Sequence, residues 1–249
     1  MKGVVLAGGL GSRLRPLTKV TNKHLLPVYD RPMIHYPILT LVNAGITDIM
    51  LVTGGNHAGE FLRLLGDGKE FGLSQIHYSY QEGEDGIAKA LSLARAFVGQ
   101  DKVCIVLGDN ILQDDIAPQV SSFADSDLGA YLFLKEVEDP QRFGVAVFDD
   151  KRRLVGVEEK PTNPKSNYAV IGVYLYNAGV FEVIDTLKPS KRGEYEITDV
   201  SNYYINKGTA DYHIITGWWS DAGTYESLYR AGALVRDQAL HDGKGGSID

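Results

Sequence analysis

The chain has 249 residues, of which 44% are hydrophobic, 23% charged and 10% aromatic, the balance of a globular protein whose core needs no staples. Its formal net charge of −7 argues against a nucleic-acid coat or a binder of anionic membranes. A lone cysteine, Cys104, excludes an intramolecular disulfide and a cysteine-rich zinc site, and no stretch reaches the ~20 apolar residues that a membrane span needs.

Taken in chain order, Gly3–Leu6 is a short apolar strand that feeds a glycine-rich loop. Met33–Asn43 is a helix, with Ile34, Ile38, Leu41 and Val42 at helical spacing and Gly45 at its end. A strand at Asp48–Thr53, a helix at Ala58–Leu65, a strand at Gln75–Tyr80 and a helix at Ile87–Phe97 follow. Val103–Leu107 is apolar throughout, as a central parallel strand covered on both faces is, and Cys104 within it reads as a buried thiol. The first 125 residues thus alternate strand and helix, which predicts a Rossmann-like α/β fold: a mixed, mainly parallel central sheet with helices on both faces. Strands are denser in the second half, at Ala130–Leu134, Gly144–Phe148, Leu154–Val157, Val170–Tyr176 and Tyr212–Ile215. Helices are expected at Ala178–Leu187, Thr198–Asn206 and Thr224–Leu240, with Asp114 and Asp115 opening a further one. Residues 1–240 read as one domain, with a nucleotide-type half over 1–125 and a second half over 126–240, and His241–Asp249 reads as a disordered tail. With no apolar leader at the N-terminus, a soluble cytoplasmic protein is expected.

Ligands of such sheets bind beyond the carboxyl ends of the strands. After the first strand comes Leu6-Ala7-Gly8-Gly9-Leu10-Gly11-Ser12-Arg13, where glycines let backbone amides approach an anion and Arg13 can fork onto phosphate oxygens. A P-loop would need Lys before Ser or Thr, and the dinucleotide fingerprint would need a third Gly where Leu14 stands. Asn22-Lys23-His24-Leu25-Leu26-Pro27-Val28 adds a second cation, Lys23. This is the local concentration of positive charge: residues 1–31 carry net +5, leaving −12 for the rest. Past the apolar strand, Asp109 in Gly108-Asp109-Asn110 is placed to hold Mg²⁺ or, alternatively, to shape a turn or cap a helix. Asp221 has the same two readings, metal ligand or cap of the helix that follows.

The run from Gly3 to Val28 resembles the signature of sugar-1-phosphate nucleotidylyltransferases, and within them the thymidylyltransferases acting on glucose 1-phosphate. The likeness continues through Gly108-Asp109-Asn110, Arg142-Phe143-Gly144-Val145, Glu158-Glu159-Lys160-Pro161, Arg192-Gly193-Glu194-Tyr195-Glu196-Ile197-Thr198-Asp199 and Trp219-Ser220-Asp221-Ala222-Gly223-Thr224, covering about residues 1–237.

The resemblance implies transfer of a thymidylyl group from dTTP to glucose 1-phosphate, giving dTDP-glucose and pyrophosphate, by Mg²⁺-assisted in-line attack on the α-phosphorus. It implies Asp109 and Asp221 as the metal pair, and Arg13, Lys23 and Lys160 as the catalytic cations. Leu6, Gly8, Gly11, Ser12, Arg13, Lys23, Gln81, Gly86 and Asp109 would bind the nucleotide, with Gln81 and the Gly86 backbone on the thymine. Asn110, Gly144, Glu159, Lys160, Val170 and Arg192 would bind the sugar phosphate. UTP or another hexose phosphate is the alternative substrate; Gln81-Glu82-Gly83-Glu84-Asp85-Gly86 lacks the family's usual Pro before Asp-Gly and carries extra acid, which bears on the choice of dTTP against UTP. A catalytically silent sugar-nucleotide sensor is the alternative of another class, and the intact Asp109, Asp221, Arg13 and Lys23 set argues against it. His24 is a second departure, since Gln is more usual after that lysine. A homo-oligomer is implied, with no nucleic-acid or membrane partner. Longer members carry a further C-terminal helical segment at a regulatory nucleotide site. The likeness stops near Leu240, so weak or altered feedback is expected.

Overall fold

Strand β1 (Lys2–Ala7) shows why the sheet is buried on both faces. Its side chains alternate, so Val4 and Leu6 enter one core while Val5 and Ala7 enter the other. Both sets are apolar, and an uninterrupted hydrophobic run results. β1 lies parallel between β2 (Asp48–Gly54) and β4 (Val103–Leu107), with Val5 opposite both Leu51 and Val106, and β3 (Gln75–Gln81) extends the parallel block beyond β2. The crossovers α1 (His35–Asn43) and α2 (Ala58–Leu65) bury Ile38, Leu41 and Phe61 on the Val5 face. α3 (Ile87–Ser92) covers the Val4 face with Ala88 and Leu91. Gly45 ends α1 region at φ +79, a left-handed conformation that Gly adopts without steric cost. The structure, a computed structural model, describes residues 1–242.

The second half is built on β8 (Tyr168–Tyr176), which runs antiparallel to β4, to β5 (Ala130–Glu136) and to β6 (Gly144–Phe148). β7 (Leu154–Glu159) forms an antiparallel edge on β6, and β9 (Ala210–Ile214) lies parallel to β5. The nine strands form one mixed sheet in the order β7-β6-β8-β4-β1-β2-β3, with β5 and β9 branching from β8. Cys104 is fully buried in β4, and burial pushes its thiol pKa up, consistent with an inert core residue.

Several expected elements shift. The helix expected over Ile87–Phe97 is two pieces, α3 and α4 (Arg95–Val98), parted at Leu93 and Ala94. The helix expected from Ala178 begins at Val180 as α6 (Val180–Thr186). α5 (Ala117–Ala124) begins two residues after Asp115, which accepts from the Ala117 amide at 2.9 Å, while Ile116 is the N-cap. Asp114 instead reaches across to the amides of Thr216 and Gly217, at 2.9 and 2.7 Å. α7 (Ile197–Asn206) and α8 (Tyr225–His241) fall close to expectation. Of the tail expected from His241, His241 ends α8 and Asp242 caps it, while 243–249 lie outside the described residues. Among the described residues no helix is long and apolar enough to cross a membrane.

One short element was not anticipated and matters for the site. Trp219–Ser220 pairs antiparallel with Ile111–Leu112, opposing Trp219 to Leu112 and Ser220 to Ile111. This ribbon draws residue 221 back over the carboxyl end of β4, beside residue 109.

Candidate active site

Two adjoining hollows open along the carboxyl edge of the sheet, and Arg13, Ile87, Leu107, Asp109 and Glu194 border both. Leu6, Gly8, Arg13, Lys23, Gln81, Gly86 and Asp109 line the first hollow together. Gly11 and Ser12 do not. Gly11, at φ +65, is packed so that a Cβ would stand 2.8 Å from Cβ of Lys23, which makes it a turn residue under that lysine. Ser12 is exposed in the short turn that follows. Gly8 is required differently: the buried Gln81 carboxamide occupies the space a side chain there would fill. Gly86 has φ +100, and a Cβ would lie 2.6 Å from the Tyr195 carbonyl oxygen, so segment 194–196 clasps this loop. The extra acid of this loop has a partner, since the Leu10 amide donates to Glu84 at 2.8 Å.

Asn110, Gly144, Glu159, Lys160, Val170, Arg192, Asp109 and Asp221 all line the second hollow. Asn110 is buried with its side chain committed: Gly172 N–H and Trp219 Nε1–H donate to Oδ1, at 2.9 and 2.7 Å, and Nδ2 donates to Asp109 at 3.0 Å. It therefore ties β4, β8 and the 219–220 ribbon together beneath the site. Glu159 accepts from Thr198 Oγ1 at 2.5 Å and from Arg192 at 3.2 Å, and pairs with Lys160 at 3.6 Å. Arg192 also meets Glu194 at 2.6 Å and Glu196 at 3.4 Å, so three carboxylates hold it. Burial, with the neighbouring charges of Glu159 and Glu194, raises the Glu196 pKa. Thr198 and Arg142 were missed as site residues. Both stand within motifs quoted for the family resemblance, but Asp221, the site partner of Arg142, lies 79 residues away.

The alternative readings of the two aspartates are separated by their contacts. α8 is capped by Thr224 and Ser227, each donating its amide to the other's hydroxyl at 3.0 and 3.2 Å, which leaves Asp221 out of the cap. Asp221 Oδ2 accepts from Arg142 at 3.0 Å, while Oδ1 is buried without a partner. Asp109 accepts from side chains, Lys23 at 2.5 Å and Asn110, rather than from a backbone amide. Burial alone would raise its carboxyl pKa, but the Lys23 charge and these hydrogen bonds outweigh it and hold the pKa below the usual value. An ideal Cβ on Gly223 would lie 3.2 Å from Arg13 Nη2, 3.4 Å from the Asp221 carbonyl oxygen and 3.7 Å from Asp109 Oδ2, so these groups converge on one glycine. Two carboxylates lining one hollow, Asp109 ionised and Asp221 with an unsatisfied buried oxygen, fit Mg²⁺, which takes one or two carboxylates and fills its shell with water and phosphate. Among the described residues no group of three or more His, Cys, Asp or Glu is placed to hold a metal.

His24 lies under this floor, 2% exposed. Its own backbone N–H donates to Asn22 Oδ1 at 2.9 Å, which identifies that atom as oxygen. The same oxygen is 2.8 Å from Nδ1, so Nδ1 carries the ring proton. Burial, then the Lys23 charge, lowers the pKa from 6.5 to about 3, so the ring is neutral.

A sheet edge with two linked hollows, five basic side chains, Asp109 at the junction and Asp221 in the second hollow defines a protein that handles phosphate esters. Residues 2–238 match the nucleotidyl transferase family, and the chain belongs to that family. It is 46% identical over 239 residues to a glucose-1-phosphate thymidylyltransferase of Neisseria meningitidis serogroup A, covering 95% of this chain and 83% of that one. It is 44% identical over 242 residues to the low-salt glycan biosynthesis nucleotidyltransferase Agl11 of Haloferax volcanii, covering 96% and 68%. A crystal structure from Bacillus anthracis, described as a glucose-1-phosphate thymidylyltransferase in complex with a sucrose, superimposes with a TM-score of 0.91 at 52% identity, covering 95% of this chain and 96% of that one.

Proposed function

We propose that this protein transfers a thymidylyl group from dTTP to glucose 1-phosphate, forming dTDP-glucose and pyrophosphate. The observation that carries the reading is the meeting of two hollows at Asp109, Arg13 and the neighbouring Asp221, where a nucleotide on one side and a sugar phosphate on the other would bring their phosphates together. The named relatives at 46% and 52% identity support the choice of substrates.

A phosphate oxygen of the sugar phosphate bonds to the α-phosphorus, the bond from that phosphorus to the bridging oxygen breaks, and pyrophosphate leaves with the electron pair. The nucleophile is already an anion, so no strong general base is needed. What the chain must supply is alignment of two polyanions and charge to offset their repulsion. Arg13 has no carboxylate partner among the described residues and is free to take nucleotide phosphates. Lys23 serves the same side, and Lys160, 44% exposed, serves the sugar phosphate. Glu159 is set by Thr198 to accept from sugar hydroxyls, and backbone groups of Gly144 and Val170 border the same hollow. Gln81 and the Gly86 backbone address the base edge. Mg²⁺ held by Asp109 and Asp221 would neutralise phosphate charge as a Lewis acid. The same reading takes residues 1–240 as one catalytic unit of a cytoplasmic homo-oligomer.

Pyrophosphate release, assayed with dTTP or UTP against a panel of hexose 1-phosphates in the presence of Mg²⁺, tests this. The expected result is fastest release with dTTP and glucose 1-phosphate. Preference for UTP or for another sugar would replace the substrates, and no release from any pair would overturn the reading.

A further inference from the structure

Each carboxylate of the proposed metal pair has one oxygen on a basic side chain: Asp109 on Lys23 at 2.5 Å, Asp221 on Arg142 at 3.0 Å. The second contact is the less expected. Arg142 is held from behind by Asp139, with Nη1 on Oδ2 at 2.7 Å, and its guanidinium lies 5.1 Å from the Phe143 ring centre. Only Nη2 reaches Asp221. The guanidinium can therefore let go of Asp221 and keep its anchor. It also lines the hollow that holds Glu159, Lys160 and Arg192, so a freed Nη2 faces the proposed sugar-phosphate side. Asp221 Oδ1, buried and unpartnered, leaves the carboxylate half satisfied and open to a cation.

We propose that Arg142 is the resting counter-ion of Asp221: it holds the carboxylate in the ligand-free protein, competes with the divalent cation for it, and is released toward the sugar-phosphate hollow when the cation binds. Arg142 stands on Asp139 and Asp221 and Lys23 on Asp109, with Arg13 close by, so three carboxylates already face three cations, and a divalent ion adds two positive charges to a partly desolvated site. The metal alone is thus held weakly, and bound phosphate supplies the charge that lets it stay. Arg142 acts through Asp221 and is a positioning residue. The inference rests on the reading that Asp109 and Asp221 hold the metal.

The test is Mn²⁺ binding to the protein alone, by calorimetry or by the free-ion electron spin resonance signal, in wild type and in Arg142→Met, Arg142→Lys and Asp221→Asn. Removing one unit charge a few ångströms from a part-exposed site is expected to tighten Mn²⁺ binding by about tenfold. Arg142→Lys, which keeps the charge, is expected to stay near wild type. A purely structural arginine would not tighten metal binding when removed, so equal or weaker Mn²⁺ binding in Arg142→Met, with Asp221→Asn weakened as the metal reading requires, overturns this proposal alone. Unchanged Mn²⁺ binding in Asp221→Asn overturns the metal assignment and the proposal with it.

Discussion

Burial of His24 makes a quantitative prediction for stability against pH. In the folded protein the ring titrates at about 3, against 6.5 when free, because its surroundings exclude water and Lys23 is adjacent. Between these values the unfolded chain binds a proton that the folded chain refuses. The folded-state pKa is depressed, so the stability associated with the neutral ring is fully present above about pH 6.5 and is lost progressively as pH falls toward about 3. Each unit of pH within the window costs about 1.4 kcal/mol, so acidification to pH 5 removes about 2 kcal/mol through this one side chain. Asp109, with its depressed carboxyl pKa, adds its own loss only at pH below the usual carboxylate range, and does not overlap the interval above pH 5. His24→Gln removes the titrating group while keeping a side-chain donor for Asn22. Urea unfolding of both proteins at pH 7.5, 6 and 5 isolates the effect: wild type is expected to lose about 2 kcal/mol more than the variant between pH 7.5 and 5. Parallel stability profiles for the two proteins would refute the neutral, water-excluded histidine.

Asp109→Asn is expected to reduce turnover by about a hundredfold or more while the far-UV circular dichroism spectrum is kept, since the residue serves charge rather than the core. Near-normal turnover with Mg²⁺ supplied would remove Asp109 from the metal pair. Lys160→Ala is expected to raise KM for glucose 1-phosphate about tenfold with KM for dTTP unchanged, and the opposite pattern would reverse the two hollows. Gly86→Ala sets a Cβ 2.6 Å from the Tyr195 carbonyl at φ +100, and thermal denaturation is expected to show a loss of more than about 1 kcal/mol. An unchanged melting temperature would show that the 194–196 segment yields.

Much of the fold was legible because its signals are local. Strand β4 is apolar at every position, since both of its faces meet a core, and β1, β2 and β3 punctuate helical patterns with the spacing of a parallel sheet. The shifts fall where local pattern is silent. No glycine or proline marks the break at Leu93 and Ala94 between α3 and α4, and a two-residue ribbon such as Trp219–Ser220 carries too few residues to show a period. The sense of β8, antiparallel to β4, follows from which strands it pairs with, and pairing is a long-range property.

The site divides the same way. Residues carried by contiguous motifs reached the cleft, and Glu159, Lys160, Asn110 and Asp221 line one hollow although they come from separate segments. Gly11 and Ser12 lie outside the lining of both hollows, and Asn110 lines one with its side chain already engaged. Gly11 read as a phosphate contact because glycine at a loop is ambiguous: one needed for a positive φ under Lys23 has the same symbol as one needed to admit a ligand. Asn110 read as a substrate contact, yet its oxygen is committed to Gly172 and Trp219, 62 and 109 positions away. Arg142 shows the general difficulty most sharply. Nothing in Arg-Phe-Gly-Val announces a partner, and Asp221 is 79 residues distant. Its meaning arises only when the 219–220 ribbon folds back on Ile111–Leu112 and delivers a carboxylate beside it. Charge composition could not reveal this, because the functional property is a pairing: a basic side chain neutralised by a carboxylate that has another task. In a site meant to gather phosphates, cations left without partners would repel one another and the metal alike, and acids left without partners would repel the substrates. Of the basic side chains lining the two hollows, Lys23, Arg142, Lys160 and Arg192 stand on carboxylates and Arg13 does not, so on the proposed reading arriving phosphates would meet one open cation and exchange partners at the other four.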